Sequence, residues 1–86
     1  MKFADTHVNK EYRYSLGSET ESGRFYLSIP VSNSLVDYEQ YYEISKGAYD
    51  AYPENVEALN RFADECRARR WDHLLLVKPG RDRGVG

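Results

Sequence analysis

The chain predicts an α+β fold: a small antiparallel β-meander of three strands, one long amphipathic helix packed on the sheet, and a C-terminal fourth strand, in the order β-β-β-α-β. Three observations carry this expectation. Within residues 53–70, Val56, Leu59, Phe62, Ala63 and Cys66 recur at helical spacing, so they stack on one side of a 3.6-residue helix. Residues 11–44 hold three stretches of two-residue alternation separated by turn-forming residues. Residues 74–77 form a short continuous apolar run, the pattern of a strand covered on both sides. Eighty-six residues suffice for one domain and one thin core.

Residues 1–10 have no sustained period and are expected to form a loose lead-in, from which Phe3 and Val8 can touch the core. Residues 11–16 alternate, with Tyr12, Tyr14 and Leu16 on one face and Glu11, Arg13 and Ser15 on the other. The polar run 17–23 has Gly at both ends and is expected to be a hairpin loop. In residues 24–31 the inward set is Phe25, Leu27, Ile29 and Val31, and Tyr26 points outward. Pro30 lacks a backbone donor, so its strand must end, bulge or turn that position away from a ladder partner. After a turn at 32–34, residues 36–44 supply the third strand. Val36, Tyr38, Gln40, Tyr42 and Ile44 face inward; Asp37, Glu39, Tyr41 and Glu43 face outward. A one-residue slip would bury three carboxylates, which fixes this register.

Ser45 is a good N-cap for a short extra helical turn before Pro53, which suits the first position of the main helix. That helix is expected to span 53–70, with Arg67, Arg69 and Arg70 at its negative end. Pro79 and Gly80 stop the last strand, and 80–86 are expected to form a mobile tail. A right-handed crossover through the helix would set the fourth strand parallel to the first, giving the order 4-1-2-3.

Composition narrows function by exclusion. At 41% hydrophobic and 14% aromatic, the chain is too apolar for a disordered segment, and it holds no apolar run of membrane-spanning length. The first ten residues lack a secretory signal's apolar segment, so a cytoplasmic setting is expected. The single Cys66 lies on the helix stripe and reads as a small core residue. Neither His7 nor His73 pairs with Cys66 at a zinc spacing, and no serine sits in a nucleophile elbow, so no catalytic group, metal or cofactor is assigned.

Charge is divided along the chain. Residues 1–66 carry six basic and twelve acidic side chains, a net of −6, whereas residues 67–86 carry six and two, a net of +4. Part of this asymmetry serves the helix dipole and solubility. The alternative is one acidic contact face and one basic end. The acidic face would hold Asp37, Glu39, Tyr41, Glu43 and Tyr26; the basic end, as a phosphate or anion contact, Arg67, Arg70, Lys78, Arg81 and Arg83.

Tyrosine gives rigid contact area with a polar tip, and carboxylates steer basic partners. The same residues also suit an ordinary amphipathic strand whose outer carboxylates keep it soluble. Stacking of nucleic-acid bases on the tyrosines is disfavoured, since their strand is the most acidic part of the chain. In size and charge the chain is similar to inhibitor, immunity and adaptor proteins, a likeness of build carried by no motif. The expected function is therefore a small non-catalytic protein-binding domain that engages a basic protein surface, with a homodimer as a further expectation. The alternative is a small enzyme or ligand-binding domain with a pocket at the sheet edge, lined by Asp72, His73 and Arg81 near the basic tail.

Overall fold

The computed structural model describes residues 1–32 and 37–77. Four strands, β1 (Phe3–Asn9), β2 (Tyr14–Glu19), β3 (Arg24–Ser32) and β4 (Asp37–Ile44), precede two helices, α1 (Lys46–Ala51) and α2 (Val56–Arg67), and a 3₁₀ turn at Asp72–Leu74. The α+β class and the antiparallel meander stand. The meander has four strands in the order β1-β2-β3-β4, every neighbouring pair antiparallel, and no parallel crossover.

The lead-in is the first correction. It pairs with β2 from Phe3↔Glu19 to Asn9↔Tyr14, and the register shifts between Asp5 and His7. That bulge at Thr6 moves two successive residues past one partner and reverses the facing of everything after it. The intervening turn starts where Asn9 Oδ1 accepts the N–H of Tyr12 at 3.0 Å, and Arg13 closes it with φ +57°. Tyr12 therefore lies in an exposed turn rather than on an inward strand face.

The second and third strands extend past their expected ends. Gly17 is an interior strand residue, and the loop shrinks to 20–23. Pro30 stays within β3 opposite Glu39. It is tolerated because pairing with β2 stops at Ser28, leaving β3 a ladder neighbour on one side only. The turn expected at 32–34, Val36 of the expected third strand and the tail at 80–86 lie wholly or partly outside the described residues.

Both ends of the main helix move inward. Tyr52 caps α1 with an extended backbone, as the residue before a proline prefers, and α2 starts at Val56 rather than Pro53. At the other end Arg69 adopts φ +63°. Its N–H bonds to the Cys66 carbonyl at 2.9 Å and that of Arg70 to the Glu65 carbonyl at 3.0 Å, a Schellman closure that stops the helix at Arg67. The chain then turns back, so the Leu74–Val77 run is no strand. Only Leu75 bridges to Tyr42, and the Leu76 N–H reaches the Tyr41 carbonyl at 2.9 Å along the free edge of β4.

The core lies between one sheet face and α2. Tyr14, Leu16, Leu27, Ile29, Val31 and Tyr42 from the strands meet Leu59, Ala63 and Cys66 from the helix. The expected inward rows of β3 and β4 thus cover the hydrophobic face. Burial pushes the Cys66 thiol up to about 12, which fits a packing role rather than a reactive one. Phe62 packs against this core from its margin. It is half-buried and leans edge-on to Tyr42 and beside Trp71, while Phe25 packs on Tyr49 of α1.

Glu19, at the end of β2, is buried and accepts N–H groups from Lys2, Glu21 and Ser22 at 2.7–3.0 Å. The Ser22 side chain and then the backbone groups of Glu21, Lys2 and Ser22 hold its pKa down to about 2, from an ordinary 4.5. Its folded pKa is depressed, so its contribution is complete above pH 4.5 and is lost as the pH falls towards 2. Denaturation midpoints of the wild type and Glu19→Gln are expected to differ at neutral pH and to converge across that window. A constant gap between pH 5 and 2 would show that the carboxylate is not held in this way.

Candidate functional site

Both helices pack on the same sheet face, so no described element covers the opposite face. Strand pairing brings two rows of side chains together there. One runs Asp5, Gly17, Tyr26, Glu43, and the other Val8, Ser15, Ser28, Tyr41. Gly17 and the serines are small, and the large side chains lean over them. A Cβ on Gly17 would lie 2.1 Å from the Ala4 carbonyl oxygen and 2.5 Å from Tyr26 Oη, so glycine is what allows the Tyr26 ring to lie across β2. The Tyr26 hydroxyl donates to the Asp5 carboxylate.

Phe3 completes the arrangement from β1. Its ring stacks on Tyr41 with centroids 3.7 Å apart and planes 10° from parallel, and it meets Tyr26 edge-on at 5.4 Å. Tyr26 and Tyr41 are themselves edge-on at 4.9 Å. The result is a second, small aromatic cluster on the face away from the helices. The edge-to-face contacts of Tyr26 with Phe3 and Tyr41 add roughly 0.5–1.5 kcal/mol each beyond area burial and help hold the N-terminal strand.

Of the five acidic-face residues expected from sequence, all belong to this surface, but they differ in what they offer a partner. Tyr26 is fully buried, with burial and then its bond to Asp5 pushing its pKa upward. It is a floor beneath Phe3 and Tyr41 rather than a contact residue. Tyr41 is half-buried, and burial followed by the charges of Glu39 and Asp5 raises its pKa. Glu39 is exposed; partial desolvation and then the Asp5 charge move its pKa up. Asp37 is exposed and accepts from the Ser32 hydroxyl at 2.7 Å, and Glu43 approaches Arg24 at 3.7 Å. Sequence reasoning missed Phe3 and Asp5. Phe3 and Asp5 alternate correctly, but the bulge at Thr6 breaks the period before it can register.

Of the expected basic end, Arg67 and Arg70 lie among the described residues. Arg67 pins the β1–β2 turn. Its Nη2 donates to the carbonyls of Tyr12 and Arg13 at 2.6 and 2.8 Å, and its Nη1 to Asp64 at 3.0 Å. Arg70 is exposed just past the helix, and Lys78, Arg81 and Arg83 lie outside the described residues. No three potential metal-ligating side chains converge among the described residues, and no helix there is long and apolar enough to cross a membrane.

A groove of about 590 Å³ opens on the helix side between the end of β4, both helices and the 3₁₀ turn. Glu43, Ile44, Ser45, Ala48, Asn55, Ala58, Leu59, Phe62, Trp71 and Leu74 line it. Trp71 is oriented by its Nε1–H, which donates to Glu65 at 2.9 Å. Asp72 and His73 are not among the lining residues, and Arg81, the third residue of the pocket expected from sequence, is outside the described ones. Comparison of the chain with protein-family models, with curated proteins and with solved structures gave no match.

Proposed function

We propose that this is a small non-catalytic binding domain whose acidic, aromatic sheet face, built from Phe3, Asp5, Glu39, Tyr41 and Glu43, engages a basic protein surface. The observation that carries the reading is the Phe3–Tyr41 stack. An aromatic pair lies half-exposed on a sheet face that no described element covers and is bordered by Asp5 and Glu39, two carboxylates for which the described residues provide no ion pair. Aromatic anchors contribute most of the energy at such interfaces, and surrounding carboxylates act on association rate and salt dependence. A two-fold contact through the same face would bring two carboxylate-rich patches together, which opposes self-association there.

Two measurements test the reading. Glu39 is raised above its ordinary pKa, so its contribution to stability is present below the ordinary carboxylate range and lost as pH rises through the higher folded value. With solvent screening of an exposed side chain allowed for, Glu39→Gln is expected to stabilise the isolated domain at neutral pH by a few tenths of a kcal/mol. The same change should weaken partner binding. Affinity capture from the source cells, run in parallel with wild type and the Tyr41→Ala/Glu39→Lys double variant, should recover a basic protein on wild type alone and release it with salt. Equal capture by both forms would exclude this face.

A second reading rests on the groove. Its volume falls within the ~300–1,000 Å³ of small-molecule sites, and its lining is mostly apolar. An apolar ligand seated there should change the emission of Trp71. A ligand at about 100 times its dissociation constant should add ~2.7 kcal/mol to stability.

A further inference from the structure

Resting on the acidic-face reading, we propose that the group the partner delivers to this face is a single arginine side chain, its guanidinium lying against the Tyr41 ring and bonded to the carboxylates of Asp5 and Glu39. Glu43 has Arg24 within 3.7 Å, but among the described residues no cation lies within the 4.0 Å of an ion pair from Asp5 or Glu39. Two like charges on one partly desolvated patch repel each other, and a bound cation relieves both. An independent sign comes from Ser28. It is 1% exposed, faces this side of the sheet in the row with Tyr41, and its Oγ finds no hydrogen-bond partner among the described residues. A buried hydroxyl without a partner is costly, and a donor-rich ligand on this face would offset that cost.

Arginine fits this set better than lysine. Its planar fork presents five donors, pairs with carboxylates in a fixed geometry, stacks on aromatic faces and sheds water more readily than an ammonium group. The Phe3 stack holds Tyr41 in place, so the ring does not have to be ordered on binding. Beside Glu39 a hollow of about 220 Å³ continues over Ser15 and Pro30, with Lys10 and Arg13 also lining it. Those two positive groups oppose a second cation in the hollow.

The test is an NMR titration at low ionic strength with two glycine–serine peptides, one carrying a single arginine and the other a single lysine. The arginine peptide should bind the wild type about fivefold or more tightly than the lysine peptide, as expected for an added stacked, bidentate contact. That preference should vanish in Glu39→Gln and Asp5→Asn and persist in Glu57→Gln, a charge-matched change on an exposed helix position. Asp5 also holds Tyr26, so Glu39→Gln decides the matter if Asp5→Asn fails to fold. Equal, salt-sensitive binding of both peptides that Glu39→Gln weakens would overturn the arginine assignment and leave the acidic face standing. An arginine preference indifferent to Glu39→Gln would overturn the assignment to these carboxylates. No movement of outer-face resonances with either peptide would remove the acidic-face reading as well.

Discussion

Leu27→Ala is expected to cost ~3–5 kcal/mol, a large part of the ~5–10 kcal/mol available to so small a domain. Leu27 sits at the middle of β3 with no accessible surface, between Leu16 and Tyr42, which are equally buried. Truncating it removes a full side chain where strands on both sides and the helix above prevent collapse. Phe62→Ala should cost less, about 2 kcal/mol, although the side chain removed is larger, because Phe62 lies at the groove and is only half-buried. Urea denaturation of the two variants checks the order. A Phe62→Ala midpoint below that of Leu27→Ala would place the centre of the core nearer the groove than the sheet.

Gly17→Ala should have the next largest effect, about 2–3 kcal/mol, through overpacking. The nearest atom to the added methyl is a backbone oxygen of β1, at 2.1 Å, which cannot rotate away as a flexible side chain would. Either β1 lifts from β2 or Tyr26 loses its place over the sheet, and both would loosen the Phe3–Tyr26–Tyr41 cluster. Hydrogen exchange should therefore show faster exchange across Phe3–Asn9, with α2 protected as before. Unchanged protection of β1 would contradict its close approach to Gly17.

These two sites mark what the sequence made legible. The inward row of β3 was readable because Leu27, Ile29 and Val31 alternate without interruption. In β4, a shift of register would have buried three carboxylates. The helix stripe was readable for the same reason, since Leu59, Ala63 and Cys66 keep a 3.6-residue period. Its ends were not, because the Schellman closure uses Arg69 where glycine is the usual signal, and Pro53 serves the turn before α2 rather than its first residue. The first strand was hidden by one extra residue at Thr6. Gly17 resembled a loop boundary, since a glycine kept small for a crossing tyrosine looks no different in sequence from one that supplies a turn.

The site was half legible on the same grounds. Asp37, Glu39, Tyr41 and Glu43 share a face by simple alternation. That Tyr26 would be covered, and that Asp5 and Phe3 would come to Glu39 and Tyr41 from the far side of the sheet, depends on pairing across four strands. Arg67, assigned to a basic end, serves a structural task that no local pattern announces, the holding of two turn carbonyls 54 and 55 residues away.

The most direct test of the binding face follows the aromatic ring resonances of Phe3 and Tyr41 together with the indole N–H of Trp71 while an arginine-bearing peptide is added. The two rings lie on the outer sheet face, and the indole lies on the helix side, tied to Glu65. Progressive, salt-sensitive shifts of Phe3 and Tyr41 with a stationary Trp71 signal are the expected result. Movement of Trp71 with the outer rings unchanged would place binding in the groove and contradict the assignment of function to the acidic face.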